Sequence, residues 1–167
     1  MHSNLNTLRV LINACLLTAS LSAVAQTPPP PPPYGAPISI EQAKKAMASA
    51  EAEARKNNWQ VVISIVDSGG HLVMLQRLDA QNASVDIATG KARTSVNFRR
   101  PTKALEDGLA ANGTALRILA VPGAMPLQGG LPIVVDGKII GAIGVSGVTS
   151  AQDEIVAKAG ADILAVK

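Results

Sequence analysis

"PIVVDGKIIGAIGVSG", residues 132–147, decides the architecture. Two apolar runs flank Asp136-Gly137, a pair favoured by the type I′ turn, so the stretch folds back on itself as an antiparallel hairpin. On the returning leg Gly141, Gly144 and Gly147 recur at every third position. Glycines inside a strand mark places where another backbone or a ligand comes close.

Towards the N-terminus lies a second hairpin. "QVVISIVD", residues 60–67, is β-branched and apolar on both faces apart from Ser64, which predicts a strand covered on both sides. Ser68-Gly69-Gly70 supplies a tight turn, and "HLVMLQRLD" returns with His71 at its start. Ahead of this hairpin, Ser39 and Gln42 have capping-box spacing, and Ala and Met recur at helical intervals over residues 40–57.

Between the hairpins, "SVDIATGKARTSVNF" (84–98) has a helical period interrupted by Gly90. A mid-helix Gly costs about 1 kcal/mol relative to Ala. Gly90 is therefore either a point of close packing, against backbone or a flat ligand, or a tolerated exposed residue. Pro101 opens a further helix in "PTKALEDGLAAN", where a missing N–H does no harm. "RILAVPGAMPLQGGLP" (117–132) reads as a long loop, or a short strand plus loop. Thr149 or Ser150 caps a last helix with Asp153 in its first turn. The order of helix, hairpin, two helices, hairpin and helix predicts an α+β layered fold rather than a parallel nucleotide-binding sheet.

Residues 1–25 read as a secretory signal. Arg9 precedes the apolar run "VLINACLLTASLSAV", and Ala23-Val24-Ala25 is a small-residue cleavage site. The run is shorter than the roughly 18–20 residues that span a bilayer, so no transmembrane anchor is expected after processing. Cys15 falls in this segment; Asn13 and the short upstream run disfavour a lipoprotein acceptor. Removal of the signal leaves no cysteine, which removes disulfides, Cys-ligated zinc, iron–sulfur clusters and a thiol nucleophile together. An exported, periplasmic or secreted protein is expected. Residues 26–37, including "TPPPPPPYGAP", read as a semi-rigid polyproline II linker, with a recognition peptide as the alternative. Residues 38–167 then form one domain.

Taking Arg9 away leaves a net charge of +2 rather than +3, with Lys and Arg scattered and Tyr34, Trp59 and Phe98 as the aromatics. No basic, aromatic stretch suits nucleic acid, so none is expected as a partner. With His2 removed, His71 is the one histidine available as a base. The surroundings of Ser146 depart from G-x-S-x-G spacing, which argues against a serine triad. Phosphate-binding order is absent as well. One histidine cannot build a four-ligand metal site, whereas haem brings four nitrogens and asks the protein for one or two axial groups.

"VVDSGGHLVMLQRLD", "IATGKARTSVNFRRPT" and "GGLPIVVDGKIIGAIGVSG", followed by Asp153, resemble in their order and spacing the GlcG/HbpS family of small haem-binding domains. That family is similar to the C-terminal domain of PduO-type cobalamin adenosyltransferases. The resemblance implies a profilin-like antiparallel sheet flanked by helices on both faces, and a homo-oligomer with haem near subunit interfaces. For an exported member it implies sequestering or sensing of haem, with a membrane sensor or transport partner. It also implies site residues. Lys91 and Thr94 match a "KA-x-T" helix whose threonine hydroxyl is associated with the iron, and helix-internal bonding is the alternative for Thr94. His71 is a second candidate ligand, at a position that varies in the family. Lys91, Arg93 and Arg99 are candidates for haem propionates, or for salt bridges to Asp86 or Glu106. Gly129, Gly130, Pro132 and the glycines at 141, 144 and 147 match a ligand-approach surface, with sheet packing as the alternative. A rival enzymatic reading, a lyase or isomerase, places acid–base chemistry on Asp67, His71, Arg77 and Asp79 in a crevice beside the first hairpin, and a third reading makes the domain a structural scaffold tethered by its proline-rich linker.

Overall fold

The computed structural model describes residues 29–165. The signal segment 1–25, Cys15 and the start of the linker lie outside the described residues. Helix α1 (Ile40–Lys56) is followed by the hairpin β1 (Val62–Asp67) and β2 (Leu72–Arg77), then by α2 (Ala83–Phe98) and α3 (Thr102–Ala110). A 3-10 helix, Gly113–Ala120, leads to the second hairpin, β3 (Gly130–Val135) and β4 (Lys138–Ser146), and to α4 (Ser150–Asp162). The strands form one antiparallel sheet in the order β2-β1-β4-β3, with β1 and β4 joining the hairpins from Val62↔Ser146 to Asp67↔Gly141. This is the expected α+β layering.

The period-2 alternation of β1 and β4 feeds two cores. Ile63, Ile65, Ile143 and Val145 pack with Ala43, Ala46, Met47 and Ala50 of α1 and with Val156 and Ala157 of α4. Val62, Val66 and Ala142 face the other way, onto Ala88, Ala92 and Val96 of α2. Helices therefore cover both faces. Each fully buried Val or Ile contributes about 1.5–3 kcal/mol, and the small residues of the helices let backbones settle close to the strands.

Local signals set the ends. Ser39 Oγ accepts from Gln42 N while Gln42 Oε1 accepts from Ser39 N, completing the box at α1. Of the two candidates at α4, Thr149 is the cap, with Gln152 reciprocating. Pro101 stands at the cap position, one residue before the first turn of α3. The strand glycines admit the protein's own backbone: a Cβ on Gly144 would stand 2.1 Å from Ala88 O and 2.5 Å from Ala92 N. A Cβ on Gly141 would stand 2.3 Å from Val66 O.

Two expectations need correction. The proline-rich stretch is not wholly a spacer: Ile139 N donates to Pro33 O, Gly35 N to Ile139 O and Ile38 N to Ile140 O, each at 2.8 Å. β1 ends opposite Gly141, which leaves the first backbone groups of β4 without a neighbour on that side, and residues 33–38 satisfy them. The irregular stretch before β3 contains no strand. It starts within the 3-10 helix and continues as loop, because prolines at 122 and 126 remove ladder donors.

Candidate functional site

The outer flank of α2 is only partly covered. β2 is an edge strand, and its Leu72 and Leu75 stay 50% and 36% exposed on the α2 side of the sheet. With Val85, Asp86, Thr89, Gly90 and Arg93 of α2, and Gly123 and Met125 from the loop ahead of β3, they line an open groove of about 470 Å³. Gly90 lets the loop approach: a Cβ there would lie 3.1 Å from Met125 Cβ. Close packing is thus the role of this glycine.

Thr94 lies one turn on from Gly90. Its side chain is buried, and Oγ1 accepts a hydrogen bond from Met125 N at 2.7 Å, so the hydroxyl ties the loop to α2. A smaller hollow of about 150 Å³ adjoins it, between Thr94, Asn97, Phe98 and residues 121–124. Arg93 Nε donates to Gly70 O at 3.2 Å, which joins the groove to the turn that carries His71. That imidazole is 82% exposed, with Nδ1 3.3 Å from Asp67 Oδ1. Desolvation opposes ionisation of Asp67, but the backbone N–H groups of His71 and Gly69, both donating to Oδ1, hold its carboxyl below the ordinary value.

Other expected residues sit elsewhere. The Lys91 side chain is 2% exposed, and its Nζ donates to Asp153 Oδ2 at 2.8 Å and to Val145 O at 2.9 Å. Asp153 is the partner, rather than Asp86 or Glu106. Lys91 leaves α2 on the side facing the sheet end, and Glu106 instead accepts from Gln128 N. The Lys91 charge is satisfied inside the protomer, away from any surface propionate. Gly129 and Gly130 are buried beside it: a Cβ on Gly129 would stand 2.9 Å from Asp153 Cβ, and one on Gly130 2.5 Å from Lys91 O. Gly129 makes room for the ion pair, and Gly130 for the α2 backbone at Lys91 and for Thr102. Pro132 is half-buried on β3 opposite Ala142. Arg99 ends α2 in the left-handed region, φ 53°, with its guanidinium 5.7 Å from the centre of the Tyr34 ring.

The four residues of the acid–base alternative do not converge. Asp67 and His71 are at the turn, whereas Arg77 pairs with Val62 at the opposite end of the hairpin, a strand length of about 17 Å away. Arg77 there donates to Ala80 O and Asn82 Oδ1, and Asp79 follows with φ 52°. The single crevice is corrected on that geometry. Among the described residues no three His, Cys, Asp or Glu side chains gather to hold a bare ion. Met125, Leu72 and Leu75 were invisible as site residues, since nothing in their spacing separates them from core. The suspicion attached to Gly90 was the one available pointer.

Four likenesses complete the picture. The family profile described as "Haem degrading protein HbpS-like" matches residues 38–162. Protein GlcG of Escherichia coli strain K12 is 46% identical over 110 residues, 65% of this chain and 81% of that protein. A doubly substituted HbpS from Streptomyces reticuli superposes with a TM-score of 0.73 at 34% identity, covering 79% of this chain and 90% of that one. A PduOC:heme complex gives 0.71 at 27% identity, over 78% and 97% of the respective chains.

Proposed function

Because this chain belongs to the HbpS-like family of haem proteins, we propose that it binds haem in the groove between α2, β2 and Met125, as an exported homo-oligomer that sequesters or senses haem. The observation that carries this reading is the meeting of an apolar trough, walled by Leu72, Leu75, Val85 and Met125, with the Arg93 guanidinium at its edge. A flat, largely apolar ring with anionic substituents asks for that combination. Haem supplies iron already held by four ring nitrogens, so the chain need add little.

The chain's own residues divide the remaining work. Leu72, Leu75 and Val85 give apolar contact and keep water from one face of the ring. Among the described residues Arg93 is engaged by one side-chain hydrogen bond, to Gly70 O at 3.2 Å, which leaves donors for a propionate. Arg99, at the end of the same helix, offers a second cation further along. Thr94 holds the loop in place. The trough is shallow, and the other face of the ring needs cover from a second copy, whose exposed His71 is able to reach across the boundary. Export and a membrane sensor or transport partner belong to the same proposal, supported by the N-terminal sequence pattern.

Titration of the purified chain with hemin tests this reading. A saturable Soret shift at a defined stoichiometry, weakened in Arg93→Ala, is expected together with a solution mass above that of a monomer. Absence of saturable binding overturns it.

A further inference from the structure

The donors that line the groove differ in kind. Thr89 gives its hydroxyl proton to Val85 O at 2.9 Å within the helix. Thr94, in the adjoining hollow rather than in the groove itself, is a residue 1% exposed whose hydroxyl accepts from Met125 N. Asp86 stands one turn before Gly90, about 6 Å along the helix. The soft donor is the Met125 thioether. Its Cγ and Cε, the two atoms that flank the sulfur, lie 3.5 and 3.3 Å from where a Gly90 Cβ would stand. The thioether therefore lies across the bare backbone of α2, in the floor of the trough.

We propose that Met125, seated on Gly90 and held by Thr94, is the side chain this chain presents to haem iron, with Thr94 a positioning residue. The proposal rests on the haem reading above and deepens it. Three features meet at one point. The mid-helix glycine clears space where any side chain would push Met125 away. The threonine hydroxyl fixes the backbone of Met125 at 2.7 Å. The leucines of β2 make the surroundings apolar, which suits a neutral donor and disfavours a carboxylate. A thioether is a soft ligand that favours reduced iron and raises the haem potential. A threonine hydroxyl or the Asp86 carboxylate, both hard oxygen donors, favours oxidised iron instead.

The test uses the full chain loaded with hemin, read by absorption spectra in both oxidation states and by the midpoint potential. Met125→Leu keeps the shape and removes the sulfur. It is expected to change the spectrum of the reduced form, to lower the midpoint potential and to weaken binding of reduced haem by roughly tenfold. Thr94→Val should move the potential in the same direction by less, and Thr94→Ser should restore it. Met125→His, which supplies a stronger donor at the same place, should give a distinct low-spin spectrum. If wild type binds haem and Met125→Leu leaves spectrum and potential unchanged, while Thr94→Val or Asp86→Asn alters them, the proposal fails and the haem reading survives. No saturable binding by wild type overturns both.

Discussion

Lys91 Nζ lies 2.8 Å from Asp153 Oδ2, and both side chains are sealed from solvent, at 2% and 3% exposure. The bond ties α2 to the first turn of α4, where the helix dipole favours a carboxylate. The remaining acceptor and donor capacity is used as well: Lys91 reaches Val145 O, and Asp153 Oδ1 accepts from Val148 N. Buried pairs add little against an apolar replacement, yet removing one partner leaves a charge stranded, at about 3–5 kcal/mol. Asp153→Ala is expected to destabilise by that amount, whereas Lys91→Met with Asp153→Leu should lie within about 1 kcal/mol of wild type in urea denaturation.

The same pair predicts a pH effect. Burial holds the Asp153 carboxyl above its ordinary value near 3.8, with Lys91 pulling it down. A raised carboxyl contributes stability that is full below the unfolded value and is lost as pH rises through the folded one. Lys91→Met removes the downward pull, so that variant should be more stable at pH 5 than at pH 8 relative to wild type. Equal deficits at both values in thermal melts would contradict it.

Asp67 has the opposite sign. Its carboxyl is held low, so the turn's stability is present above about 3.8 and is lost as pH falls through the lower folded value. Asp67→Ala should cost about 1–2 kcal/mol at pH 6, and the gap to wild type should begin to narrow only as pH falls below 3.8. Asp67→Asn, which keeps an acceptor for Gly69 N and His71 N, should recover part of it.

Two glycines should respond differently to alanine. At Gly144 the added methyl meets the α2 backbone on Ala88 and Ala92, so Gly144→Ala should cost about 1–3 kcal/mol or more. At Gly90 the neighbour is a flexible methionine, and helix propensity returns up to about 1 kcal/mol. Gly90→Ala should be close to neutral in stability while weakening hemin binding. Denaturant midpoints and a hemin titration separate the two.

The docked proline segment gives a further measurement. Tyr34 Oη donates to Val96 O at 2.8 Å, near the C-terminal end of α2, where the same carbonyl also accepts from Arg99 N at 3.2 Å. Tyr34→Phe should cost about 0.5–1.5 kcal/mol. It should also speed amide exchange at Gly35 and Ile139, which bond to one another's neighbourhood along β4.

Periodicity and turn chemistry are local, so the two hairpins, the capping box at Ser39, a cap at Thr149 or Ser150 and the double coverage of β1 were legible in the order of residues alone. So was the family, through three motifs spread along the domain. Tertiary structure decided the rest. Only folding brought Asp153 to Lys91 across 62 positions, which turned an expected propionate ligand into an internal bond. Only folding laid Pro33–Ile38 along β4 and set Met125 on Gly90. A helix or turn is specified by neighbours within a few positions, whereas a site is assembled by contacts whose partners share no spacing, and their meeting depends on how the packed layers come to rest.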